Sequence, residues 1–120
     1  TRAEHLSRAG DCIIAIGADK AAADLSDEFR SAIRKPGSVL TTHLSCGDFG
    51  YEVTSLGHPD FVLDHGEDLV WRRSRYIDGR TIGILSDTTA RTLPRDLVAL
   101  LRDGMRLVVT MTVTGGDDTG

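Results

Sequence analysis

The stretch IAIGADKAAADL, Ile14 to Leu25, comes back later in the chain as IGILSDTTARTL, Ile82 to Leu93. Each time an apolar, β-branched run passes through an Asp into a helix-forming segment. Residues 12–35 align with 80–103 without a gap: Ile14, Ile16, Asp19, Ala22, Leu25 and Arg34 meet Ile82, Ile84, Asp87, Ala90, Leu93 and Arg102. Beyond Pro36 the offset shortens by one residue. Gly37 then meets Gly104, Leu40 meets Leu107, Leu44 meets Met111 and Cys46 meets Val113. A slip in a loop is tolerated, whereas a slip inside a strand turns its apolar face outward. Two copies are too few for a solenoid, so the pattern predicts a pseudo-two-fold pair sharing one core.

Each copy reads strand, helix, strand. Residues 12–17 and 80–85 are bounded by Gly and Asp turn signals. Leu25, Phe29, Ala32 and Ile33 recur at helical spacing, as do Leu93, Leu97, Leu100 and Leu101. Ser26 and Thr92 are the expected N-caps, with Pro94 in the second helix's first turn. Gly37 and Gly104 stand where a left-handed residue closes a helix. In the last strand Leu107, Val109, Met111 and Val113 alternate with Val108, Thr110, Thr112 and Thr114. Between the copies, 40–46 and 49–54 flank Gly47-Asp48, a two-residue hairpin loop. Residues 61–65 and 69–76 read as two more strands, and Asp78-Gly79 as a turn. The expected fold is α+β and mainly β: a duplicated antiparallel β-sandwich or partly open barrel with two short helices. Residues 1–120 form a single domain by length, with repeats at 12–46 and 80–113 and a tail, 115–120, expected to fray.

Composition narrows the function classes. No apolar run approaches the length of a membrane span, and no signal peptide is visible. Cys12 and Cys46 make neither a metal-ligand spacing nor a disulfide framework, which suits a reducing cytoplasm. The net charge of -4 argues against a protein coated in basic surface and leaves room for a local basic patch. Twelve Arg against two Lys fits GC-rich codon usage as well as selection for bidentate contacts. The chain starts at Thr1, so an upstream segment is expected.

Three groups of residues carry candidate chemistry. At Asp19-Lys20 a strand meets a helical turn. Asp19 reads as an N-cap, and Asp87 repeats it. Lys20 is replaced by Thr88 in the second copy, so it is either an anion holder or a solvated side chain. In GHPDFVLDH, His58 and His65 are candidate metal ligands, without the spacing of a strong motif. In VWRRSRYIDGR, a strand would set Trp71, Arg73 and Arg75 on one face and Arg72, Ser74 and Tyr76 on the other. Together with Arg80, these arginines and aromatics suit a single-stranded nucleic-acid platform, or a charged edge strand that resists aggregation. There is no nucleophile elbow or phosphate loop.

The run AGDCIIAIGADKAAADLSDEF, with LGHPDF, RRSRYIDGRTI and the closing Leu-rich helix and Thr-rich strand, resembles the archaeal domain-of-unknown-function family 371 over nearly the whole chain. The resemblance implies an archaeal, cytoplasmic, mainly β domain and no assigned activity. Similar members carry an upstream segment with its own Gly-His, and often repeat Ala-Asp-Lys-Ala where this chain has Ser86-Asp87-Thr88-Thr89. Three functions stand open. One is a non-enzymatic binding domain, associated with RNA or a ribonucleoprotein through residues 70–80. The alternative is a metal- or small-molecule-binding enzyme built around His58 and His65 with Asp19 and Lys20. The third is a structural partner in a complex or homo-oligomer. No cofactor is clearly implied.

Overall fold

The computed structural model describes residues 22–66, 68–88, 93–102 and 106–115. The 12–17 strand, Asp19, Lys20, Thr92, Gly104 and the tail beyond Gly115 lie outside them.

A short 3-10 turn, Ala22–Asp24, leads into helix α1, Asp27–Ile33. Ser26 caps α1 as expected: its hydroxyl accepts the Phe29 N–H at 3.1 Å, satisfying a donor that has no partner within the helix. Leu25 and Ile33 are buried and Phe29 is half-buried, so the apolar stripe faces the core. Gly37 is left-handed, with φ 78°, but it does not cap the helix. Pro36 and Gly37 are the central pair of a turn closed by Ser38 N–H to Lys35 C=O at 3.1 Å. Proline followed by a left-handed glycine makes this a type II turn.

That turn launches β1, Ser38–Cys46, which pairs antiparallel with β2, Phe49–Leu56. Gly47 takes φ 58° at the first central position of the two-residue loop, the type II′ pattern that matches strand twist. β1 also pairs antiparallel with β5, Val108–Gly115, giving a three-stranded sheet with β1 in the middle. Alternation sends Ser38, Leu40, Thr42, Leu44 and Cys46 inward. The second sheet has two short strands, β3 at Val70–Trp71 and β4 at Thr81–Gly83. A Leu56–Ile84 bridge joins it to β2. Helix α2, Arg95–Arg102, follows Pro94, whose carbonyl accepts the Val98 N–H.

The core has two centres at opposite ends of β1. Leu25 and Ile33 pack with Leu40, Phe61, Leu63, Ile82 and Ile84, against Met111 and Val113. Leu93 and Leu97 pack with Leu44, Cys46 and Val53, against Leu107. Among the described residues the fold is therefore mixed α+β and mainly β, with two short helices, an antiparallel sheet and no closed barrel.

Several local expectations are corrected. Residues 61–65 form no strand, because Leu63 turns left-handed at φ 55° and the Asp64 and His65 N–H groups both go to the Gly79 carbonyl. Of 69–76, only Val70–Trp71 is strand, and it pairs parallel with β4. Asp87 caps no described helix. Its Oδ1 accepts the Thr54 N–H at 3.0 Å and so satisfies a donor on the edge of β2. That contact needs a bulge: pairing runs from Leu56–Ile84 to Thr54–Asp87, with one extra residue on the 84–87 side. Leu85 lies in the bulge with φ 50°. A left-handed conformation costs a residue with a β-carbon about 1–2 kcal/mol.

Candidate nucleic-acid interface

The candidate site is built on the turn Asp78-Gly79-Arg80-Thr81. Thr81 N–H closes it on the Asp78 carbonyl at 3.1 Å. Within it, Asp78 Oδ1 accepts from the Arg80 N–H at 3.2 Å and the Thr81 hydroxyl at 2.9 Å. The other oxygen, Oδ2, receives two guanidinium groups, Arg72 Nη2 at 2.9 Å and Arg80 Nε at 3.2 Å. Arg72 Nε donates to Thr81 Oγ1 at 2.9 Å, and Arg80 Nη1 reaches Asp68 at 3.1 Å. The result is an alternating chain, Asp68–Arg80–Asp78–Arg72. A β-carbon at position 79 would lie 2.1 Å from Asp64 Oδ1, so a larger residue there would have to push the exposed Asp64 side chain aside.

Charge and hydrogen bonding act on Asp78 in opposite directions. Burial alone would raise its carboxyl, but the bonds from Thr81 and Arg80 and the charge of Arg72 outweigh burial and hold it below its ordinary value. On Arg80, the bonds to Asp68 and then Asp78 push the guanidinium further above its usual range.

This chain of ion pairs fixes how Arg72 is presented at the surface. Its guanidinium carbon lies 4.7 Å from the centre of the Tyr76 ring, a cation–π contact. Tyr76 is 60% exposed, and the bend between them leaves Arg73 and Arg75 exposed as well. Trp71 has turned away: its indole N–H donates to Thr42 Oγ1 on β1 at 2.8 Å. The flat strand with arginines and aromatics on each face is therefore replaced by a bend. Arg72 and Arg80 are tied to carboxylates, while Arg73, Arg75 and Tyr76 point outward from it. Asp78, Asp68 and Thr81, which hold the bend, are residues the sequence reading missed. The local signal for them was the Asp-Gly-x-Thr turn, where an Asp side chain bonds its own backbone two residues on.

Of the two candidate histidines, His65 adjoins this turn through its N–H to the Gly79 carbonyl, and His58 lies on the loop after β2. His58 Nδ1 accepts the Asp60 N–H at 3.0 Å, with Asp60 Oδ2 at 3.7 Å. The His58 backbone N–H goes to the Ile33 carbonyl. His65 Nδ1 accepts the Asp68 N–H at 2.9 Å. Each ring thus uses its Nδ1 acceptor on its own turn. Among the described residues no three His, Cys, Asp or Glu side chains are grouped to hold a metal ion. A shallow apolar depression at the hairpin tip is lined by Gly47, Asp48, Phe49 and Leu100, and by none of the histidines. No described helix is long and apolar enough to cross a membrane.

Two comparisons bear on this geometry. Residues 1–114 match the family described as a domain of unknown function, DUF371. An uncharacterized protein of the archaeon Methanocaldococcus jannaschii, MJ0206, is 32% identical over 113 residues, spanning 94% of this chain and 83% of that protein.

Proposed function

The chain belongs to the DUF371 family, and from that premise we propose that it is a non-enzymatic binding domain for single-stranded RNA, acting through the bend at residues 72–76. The observation that carries the reading is the pinned cation. Arg72 is held by Asp78 against one side of Tyr76, and the ring remains largely exposed on the bend that also exposes Arg73 and Arg75. An exposed ring offers a face for an unpaired base to stack on, and the two outward guanidinium groups suit neighbouring phosphates.

The ion pairs also give the reading a number. Arg72 and Arg80 are already neutralised, so two arginines remain for phosphate. Titration of a fluorescent RNA oligonucleotide at several salt concentrations is expected to give a slope of log K against log salt of about -1.4, whereas four phosphate-bound arginines would give about -2.8. The double substitution R73A/R75A is expected to abolish the slope. No salt-sensitive binding by the wild type would remove the reading.

The same reading takes the chain as an internal duplication, which two features support. Counterparts Leu40 and Leu107 lie in opposite core centres, and so do Leu44 and Met111, and Cys46 and Val113. Under the same offset His43 corresponds to Thr110, and those two residues pair across β1 and β5. Related antiparallel strands place a residue opposite its own counterpart at the two-fold axis. An experimental structure in which 12–46 superposes on 80–113 by a rotation near a half-turn is expected; unrelated paths would end the idea. The reading places the protein in the cytoplasm, supported by the free thiol of buried Cys46.

A further inference from the structure

Among the described residues two leucines hold a left-handed backbone, and they differ in what surrounds them. Leu63, φ 55°, is fully buried in the first core centre, so apolar burial offsets its strain. Leu85, φ 50°, is 37% exposed and belongs to neither core centre. A bulge at that position favours glycine, and asparagine tolerates it. The core does not require a leucine there.

The location of Leu85 supplies a reason. Its N–H donates to the Ser74 carbonyl at 3.0 Å, and the Ser74 side chain accepts the Tyr76 N–H at 3.3 Å. Ser86 N–H donates to the Arg72 carbonyl at 2.9 Å. The bulge is therefore stitched to the bend that carries Arg73, Arg75 and Tyr76. Two of the exposed large hydrophobic residues of the fold, Tyr76 and Leu85, are tied to the same serine.

We infer that Leu85 contacts the ligand: it is an apolar shelf beside Tyr76 that covers an unpaired base while the exposed arginines take the flanking phosphates. The inference rests on the single-stranded RNA reading, and it adds a residue that carries no charge. The match is one of chemistry, a base with an apolar face beside a cationic bend. Leucine would be kept in a strained conformation because its side chain serves a contact outside the folded chain.

The test compares wild type, L85G, L85N and R73A/R75A by fluorescence anisotropy with a labelled single-stranded RNA decamer at several salt concentrations, with thermal melts alongside. Loss of one apolar base contact is expected to weaken L85G and L85N about fivefold to tenfold, with the wild-type salt slope retained. Both replacements accept a left-handed backbone and relieve that strain, so both variants are expected to melt at or above the wild type. Wild-type affinity in a folded L85G or L85N overturns the role of Leu85. If R73A/R75A still loses binding, the RNA reading survives that result. A wild type that does not bind the decamer removes the RNA reading and the Leu85 role together.

Discussion

Gly57→Ala is expected to lower stability by about 3 kcal/mol, and the melting temperature by roughly 10–15 °C. A β-carbon at position 57 would sit 2.1 Å from the Ile33 carbonyl oxygen and 2.1 Å from Ser38 Oγ. Neither atom is free to give way. The Ile33 carbonyl closes α1 by accepting the His58 N–H and the Ser38 hydroxyl, each at 3.0 Å. The Gly57 N–H is itself bound to the Ser38 carbonyl at 3.0 Å. Inserting a methyl group therefore separates the end of α1, the start of β1 and the end of β2 at once. Gly66→Ala is the control, because a β-carbon there meets nothing within 4 Å. Its change is expected to stay within about 0.5 kcal/mol. Denaturant unfolding of the two variants decides the matter: equal stabilities would show that the junction relaxes freely.

Asp78→Ala is expected to cost about 2 kcal/mol. The loss is smaller than for a fully buried pair because water reaches part of the network. It removes the acceptor shared by Arg72 and Arg80 and the partner of the Thr81 hydroxyl. Asp78→Asn keeps the shape and removes the charge, so it isolates the electrostatic part. The folded protein holds the carboxyl below its ordinary value of 3.8, which means the charged form is the one folding favours. Its stabilisation is therefore fully present above that value and is lost as pH falls through the lower folded value. The stability gap between wild type and Asp78→Asn is expected to be constant near neutral pH and to close in strong acid. A gap that persists unchanged at the lowest pH where the protein folds would show that the carboxylate's charge is not its source.

The parts of the fold that could be read from the sequence are those where a local rule acts alone. Ser26 caps α1, Gly47-Asp48 turns the hairpin, and the alternation of β1, β2 and β5 follows from side chains that leave a strand on opposite faces. The parts that could not be read depend on distant partners. Val62 and Asp64 look like the outward positions of a strand, but Arg34 takes the Phe61 and Val62 carbonyls and the Gly79 carbonyl takes the Asp64 and His65 N–H groups. Arg72 looked available for phosphate until Asp78, six residues on, closed over it. Asp87 carries the local pattern of a helix cap, and nothing local reveals that Thr54 offers an N–H across the bulge. For the candidate interface, the residue types were legible. Which guanidinium groups are free was not, since it depends on ion pairs that form only after the turn at 78–81 is made.

The central place of β1 has a consequence for the order of events in folding. One neighbour, β2, is reached through a two-residue loop, and the other, β5, pairs through residues some seventy positions away, so closing the second contact carries the larger entropy cost. The hairpin should form on the microsecond scale and wait for β5 to dock. Substitutions at the 47–48 turn are therefore expected to slow refolding, while those in β5, such as Val113→Ala, mainly speed unfolding. Stopped-flow kinetics on the two classes would expose the reverse order if Val113→Ala proved to be the variant that slows refolding.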